Sequence, residues 1–363
     1  MFVRGVFFIF ITLVLSFSAR ALTFNVTYDA SVTNFGTLAQ VQTAFGAAAQ
    51  TIQSLYTNAI IVNITVYSAN AGPFGYIDLG ESQSSYSFGS SFKYPQLTNA
   101  LRAARTTLAD SNSVASLPAS DPTGGTYSWC VPRAESKALG LFSISANNTN
   151  VDGEIGFATD ETFTFDPNNR AVPGAIDFIG VAEHEITEVM GRSTLDLGTN
   201  GYFPYDLFRF TSNGVRSFDP NASSVYFSVD NGATALKYFY PDINSGDIQD
   251  WQSSTPPDSF NATVTDGYEL TLSAADLTSL DILGYKLNYQ PPRLQGTNLG
   301  NGNFQLNFTN TPGTSYTELA STNVSLSVSN WTVLGTTTET QAGQFQFTDS
   351  PASKLRFYRV RLN

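Results

Sequence analysis

The spacing of apolar and polar residues changes character along this chain, and each change predicts an element. In residues 38–58 (LAQVQTAFGAAAQTIQSLYTN), Leu38, Val41, Phe45, Ala48, Ile52 and Leu55 recur at steps of three and four. That period marks one buried face of an amphipathic helix. Residues 59–67 (AIIVNITVY) bring β-branched side chains into near alternation, as a strand does. A second helix is expected over 96–108, followed by a Ser/Pro/Gly/Asp-rich loop over 110–125. Strands are expected at 139–145 and 153–158, then a helix over about 175–191. Short segments follow at 205–210, 225–229 and 235–239, separated by Asn/Asp/Gly turns. A last helix is expected over 272–283, with Ser273 as its N-cap.

At Gln290-Pro291-Pro292 the helical period stops. Beyond Arg293 only alternation and turn punctuation remain, with strands expected at 303–309, 315–320, 331–334, 344–348 and 355–362. Strands at that spacing without helices predict a small β-sandwich module. The expected organisation is therefore an α+β domain over 22–289 and a β-sandwich module over 293–363.

The first residues read as an address. Arg4 precedes an apolar run at 6–17 (VFFIFITLVLSF), and Ala19-Arg20-Ala21 offers a small-x-small cleavage site. The run is shorter than the roughly 20 residues that span a bilayer. A signal peptide over 1–21 is expected, with a secreted, extracellular mature chain that has no transmembrane segment.

Composition narrows the chemistry. The 363 residues include 18 Lys and Arg against 30 Asp and Glu, a formal charge of −12. A nucleic-acid partner, which needs clustered cationic charge, is excluded as an expectation. Cys130 is the single cysteine and His184 the single histidine. No internal disulfide, multi-Cys site or two-His zinc site can form within one such chain.

That one histidine stands in Ala182–Arg192 (AEHEITEVMGR), flanked by three of the ten Glu, at 183, 185 and 188. His184 and Glu188 are i and i+4, so on a helix both reach one divalent ion from the same face. Glu185 projects about 100° around the axis, poorly placed as a ligand. From there it can hold a water bound to the metal and take its proton as a general base. Ile179, Ala182, Ile186 and Val189 form a separate apolar stripe that faces a core.

The arrangement resembles the zincin metallopeptidases and, within them, the metzincins, whose motif is HExxHxxGxxH or HExxHxxGxxD. The match holds at His184 as ligand, Glu185 as general base and Gly191 as the helix-ending glycine. A strand near 152–157 (DGEIGF) precedes the motif helix, as does the edge strand along which metzincins lay substrate. The chain is also similar to secreted bacterial metalloproteases carrying an HEIxEVMGR-type helix, a DLFR segment (Asp206–Arg209), a GDxxDW segment (Gly246–Trp251) and a DxLGY stretch (Asp281–Tyr285). The likeness spans about residues 37–285. It departs from the family at Glu188, where the second histidine belongs, and at Thr194, where the third ligand belongs. Met190, the one methionine besides Met1, lies on the motif helix, so the usual methionine turn is absent.

The resemblance implies a zincin-like, secreted, metal-dependent peptidase acting on protein or peptide substrates, and a monomer is expected. The cofactor is one divalent metal, zinc first. A one-His, two-carboxylate site is harder than three histidines and admits Mn or Fe. Asp206 is the favoured third ligand and Asp196 the alternative; Asp247 and Asp250 are candidates for Ca²⁺. Against this stand other readings. The three Glu form a solvated face beside an ordinary helix histidine, Cys130 is a small buried hydrophobe, and the protein is a zincin-like binding or surface-associated protein without catalysis. A hydrolase for a non-peptide substrate is a third. In the C-terminal module, aromatics such as Tyr316 and Trp331 are read as core.

Overall fold

A computed structural model describes residues 21–86, 91–125, 128–141, 150–194, 201–253, 257–288, 292–300, 302–310, 315–326, 330–341, 343–350 and 355–362. The chain is mixed α and β. It begins with β1 (Thr23–Tyr28), α1 (Leu38–Leu55), β2 (Ile61–Ser68), β3 (Gly80–Ser84) and β4 (Ser91–Phe92). Next come α2 (Tyr94–Ala104), α3 (Leu108–Ala115), β5 (Ser128–Cys130), α4 (Arg133–Leu139) and β6 (Gly153–Phe157). Then follow β7 (Phe163–Thr164), β8 (Ile176–Asp177), α5 (Phe178–Val189), β9 (Gly201–Tyr202) and β10 (Arg209–Ser212). β11 (Val215–Arg216), β12 (Tyr226–Phe227), β13 (Lys237–Tyr238) and α6 (Ala274–Ile282) complete the part with helices.

The main sheet has the order β1-β2-β6-β3. β1, β2 and β6 run parallel, and β3 closes one edge antiparallel to β6. α1 starts where Thr37 and Gln40 close a reciprocal capping box, the Thr37 N–H donating to Gln40 Oε1 at 3.1 Å. Its predicted apolar face is buried through Val41, Phe45, Ala48 and Ile52. α5 packs between α1 and β3, burying the expected stripe of Ile179, Ala182, Ile186 and Val189. Each such large aliphatic removed from water contributes about 1.5–3 kcal/mol. Two glycines let α5 lie close to the sheet. A Cβ on Gly153 would meet Val189 Cγ1 at 2.5 Å, and one on Gly80 would meet Val181 Cγ1 at 2.9 Å.

Some local expectations give way. The stretch expected as a loop from 110 contains most of α3, because Thr107 caps it, accepting from Asp110 N at 3.0 Å. Ser111 and Ser113 turn their hydroxyls onto the carbonyls of Thr107 and Asp110 instead of competing with the helix. The strand expected at 139–145 begins on the last residue of α4, and Gly140 ends that helix at φ 64°; residues 142–149 lie outside the described residues. The segment 205–210 opens as a 3-10 turn, Pro204–Phe208, before β10 begins. α6 starts at the expected N-cap, but Ser273 contributes its N–H, donated to Asp276 Oδ2 at 2.7 Å, and not its hydroxyl.

The last strands are β14 (Gln295–Asn298), β15 (Phe304–Thr309), β16 (Tyr316–Ser321), β17 (Thr332–Thr336), β18 (Thr338–Gln341), β19 (Gln344–Asp349) and β20 (Phe357–Leu362). They form two antiparallel sheets, β14-β15-β19-β18 and β17-β16-β20, which among the described residues include no earlier strand. Phe308, Tyr316 and Phe345 make a separate apolar cluster there, with ring centroids 5.0–5.1 Å apart. Among the described residues no helix is long and apolar enough to cross a membrane. The expected signal peptide falls almost wholly on residues 1–20, outside the described ones.

Candidate metal centre

α5 begins at Asp177, whose carboxylate accepts from Ile179 N at 3.2 Å and is itself held by Arg170 Nη2 at 2.7 Å. Its end determines the site. Met190 is the C-cap, and Gly191, at φ 120°, reverses the chain. The Gly191 N–H donates to Glu188 O at 2.9 Å and the Arg192 N–H to Thr187 O at 3.1 Å. These are the two bonds of a Schellman cap. The reversal folds the Arg192 side chain back along the helix, where its Nε donates to Thr187 Oγ1 at 3.2 Å.

His184 and Glu188 share one face as the spacing predicts. Nδ1 of His184 donates to the Ser259 carbonyl at 2.8 Å, which leaves Nε2 to point the other way. Nε2 lies 3.4 Å from Glu188 Oε1 and 3.2 Å from Asp250 Oδ1. Donors bound at 2.0–2.1 Å to one tetrahedral ion stand about 3.3–3.4 Å apart, so both separations match edges of such a site. The three side chains form the one group among the described residues able to hold a metal ion. A histidine anchored by a carbonyl on its far nitrogen is the usual way a ligand imidazole is oriented.

Both carboxylates are held from behind. Ser82 Oγ on β3 donates to Glu188 Oε2 at 2.9 Å, and Gln249 Nε2 donates to Glu188 Oε1 at 3.1 Å. Arg192 Nη1 lies 2.6 Å from Asp250 Oδ1, and Nη2 lies 3.2 Å from Glu188 Oε1. The guanidinium is wholly buried and stacks over Phe260 at 4.2 Å. Burial raises the Glu188 carboxyl, but Arg192 and His184 outweigh it and bring it down to about 2. Burial disfavours the His184 imidazolium, yet the Asp250 carboxylate holds that group well above the ordinary histidine range.

Glu185 points elsewhere, toward β3. A Cβ on Gly80 would stand 2.5 Å from Glu185 Oε1, so only glycine leaves room for this carboxyl. Glu185 is buried, and its Oε2 has no hydrogen-bond partner among the described residues. Burial and the neighbouring Glu188 push its carboxyl well above the usual range. Glu183, on the other side of the helix, accepts from Ser259 Oγ at 3.2 Å and lies 3.8 Å from Arg170. All three glutamates are at most 6 % exposed, so the solvated acidic face is not what the helix presents. A cleft of about 740 Å³ opens in front, with His184, Glu185, Glu188 and Asp250 in its lining.

Asp206, expected as the third ligand, is not a member of the group. It is buried, accepts from Phe203 N at 2.9 Å to cap the 3-10 turn, and lies 3.9 Å from Arg209 Nη1. The third member of the group is Asp250, from the GDxxDW segment, whose next residue Trp251 donates Nε1–H to Asp276 Oδ1 at 2.6 Å. That segment stood out in the sequence, although for calcium. Asp196 lies outside the described residues. Thr194 lines the cleft, and its hydroxyl is 3.4 Å from Gln249 Oε1, supporting the amide that holds Glu188. Cys130, on β5, is half-buried and lies in another part of the fold.

No family model, curated protein or solved structure matches this chain.

Proposed function

We propose that this protein is a secreted, zincin-like, metal-dependent peptidase. The observation that carries the reading is the convergence of His184 Nε2, Glu188 Oε1 and Asp250 Oδ1 at spacings that suit one ion, in the same cleft as Glu185, whose Oε2 has no hydrogen-bond partner among the described residues. When bound, a divalent ion there supplies Lewis acidity toward a carbonyl and toward water. Zinc suits three donors in tetrahedral spacing, and the two carboxylates also suit Mn or Fe. Glu185 then takes the proton of the attacking water and returns it to the leaving amine. The outer edge of β3 pairs with no strand among the described residues, so an extended peptide can lie along it. In this reading the C-terminal sheets are a β-sandwich appendage, serving as spacer or docking module.

One observation favours the alternative of a zincin-like binding protein without catalysis. Arg192 already reaches the two carboxylate oxygens, and a protonated His184 would satisfy the group with no ion. Elemental mass spectrometry of the purified mature chain, beside His184→Ala, separates the two. About one equivalent of a transition metal, lost in His184→Ala, together with casein hydrolysis abolished by Glu185→Gln, is the expected result. No metal in either protein after incubation with excess Zn²⁺ or Mn²⁺ would overturn it.

A further inference from the structure

The charge of the cleft extends the proposal to its substrate. Among the described residues, six carboxyl side chains line it, from Asp78, Glu81, Glu185, Glu188, Asp247 and Asp250, and no Lys or Arg does. Glu188 and Asp250 are engaged by Arg192, which lies behind the cleft wall. Asp78, Glu81 and Asp247 are different. They are exposed, and none forms an ion pair among the described residues. Asp78 lies two residues before Gly80 and Glu81 directly after it, at the start of β3, and Asp247 sits on the segment that delivers Asp250. Deeper in the same cleft, the Oε2 of buried Glu185 has no hydrogen-bond partner among the described residues. Tyr76 and Tyr86, 67 % and 47 % exposed, also line the cleft and offer ring faces to an aliphatic stem or a cation.

We propose that the cleft selects peptides bearing a Lys or Arg side chain close to the bond it acts on. This rests on the peptidase reading only for the word substrate, since the charge arrangement would select the same ligand for a binding protein. A divalent ion compensates the two inner carboxylates but leaves the three exposed acids in place. An extended peptide along β3 then sets a basic side chain among Asp78, Glu81 and Asp247, where an acidic one meets like charge.

The test uses the full mature chain carrying Glu185→Gln, and labelled decapeptides identical except for Lys, Leu or Glu at two central positions. Fluorescence anisotropy at low and high salt should show the Lys peptide binding about tenfold tighter than the Glu peptide, with the gap narrowing in high salt. Adding Glu81→Gln and Asp247→Asn should reduce that gap several-fold. Equal binding of the three peptides overturns the proposal. So does a preference that survives the double substitution, which would be the field of an acidic chain as a whole. A basic preference without hydrolysis by the unmodified protein sustains this inference and removes the peptidase reading; hydrolysis without a charge preference does the reverse.

Discussion

Arg192 Nη1 lies 2.6 Å from Asp250 Oδ1, the same oxygen that stands 3.2 Å from His184 Nε2. The guanidinium therefore bridges a carboxylate of the motif helix and one that is 62 positions away from that helix's Glu188, and it does so without contact with solvent. Two buried anions converge with one permanent cation behind them. Removing that cation is predicted to be costly.

Arg192→Met should destabilise the metal-free protein by about 3–5 kcal/mol, because Glu188 and Asp250 would be left buried and facing each other. Arg192→Lys should fall between Met and the natural residue, since an ammonium keeps the charge but loses the planar fork. Urea unfolding of the three proteins measures this. A Met variant within about 1 kcal/mol of the natural protein would show the contact to be as weak as a surface pair.

Ser82→Ala removes the hydroxyl that donates to Glu188 Oε2 and leaves the other partners of that residue intact. The fold should hold, as Ser82 is on an edge strand and only half-buried. Metal affinity should weaken about tenfold, the ordinary effect of losing a hydrogen bond to a ligand. Competition with a chromogenic chelator reads the change, and an unaltered affinity would mean that Glu188 needs no help from β3.

How much of this site can be read from the chain depends on distance along it. The motif helix is legible because its apolar stripe and its His184–Glu188 pair share one local period, and α1 is legible for the same reason. Arg192 looks like an ordinary surface cation until the glycine before it is seen to reverse the chain at positive φ. Asp250 is harder still. A short acidic segment beside Gly246 has the composition of a turn, and nothing local says that Trp251, tied to Asp276, delivers it to the helix. Asp206 misleads because a buried acid that caps a 3-10 turn has the same sequence signature as a ligand. α3 hides because serines and aspartates read as loop unless their side chains bond the helix's own backbone.

Gly191→Ala tests the reversal directly. Gly191 has φ 120°, and an added Cβ would meet Glu135 Oε2 at 2.7 Å, with Glu135 itself fully buried. Backbone strain of this kind costs about 1–3 kcal/mol, and the contact adds to it. The variant should be destabilised and should also bind metal less well, because the turn aims Arg192. Loss of stability with unchanged metal affinity would separate the turn from the site.

The last prediction lies away from the cleft, where α3 meets α6. Asp281 on α6 accepts from the Thr107 hydroxyl at the start of α3, while its Oδ1 has no hydrogen-bond partner among the described residues. Burial pushes its carboxyl up to about 7, and the nearby Asp110 adds to the rise. Burial likewise raises Asp110 to about 6. Folded-state values above the ordinary carboxyl value mean that the folded protein holds protons that the unfolded chain has released. Stability from these groups is therefore full below about pH 4, declines as pH rises between about 4 and 7, and is gone above that range. Asp281→Asn, which stays neutral throughout, should flatten that slope and raise the melting temperature at pH 7.5 relative to the natural protein. Thermal melts at half-unit pH steps decide it: parallel curves for the two proteins across pH 4–7 would mean that Asp281 carries its proton in neither state.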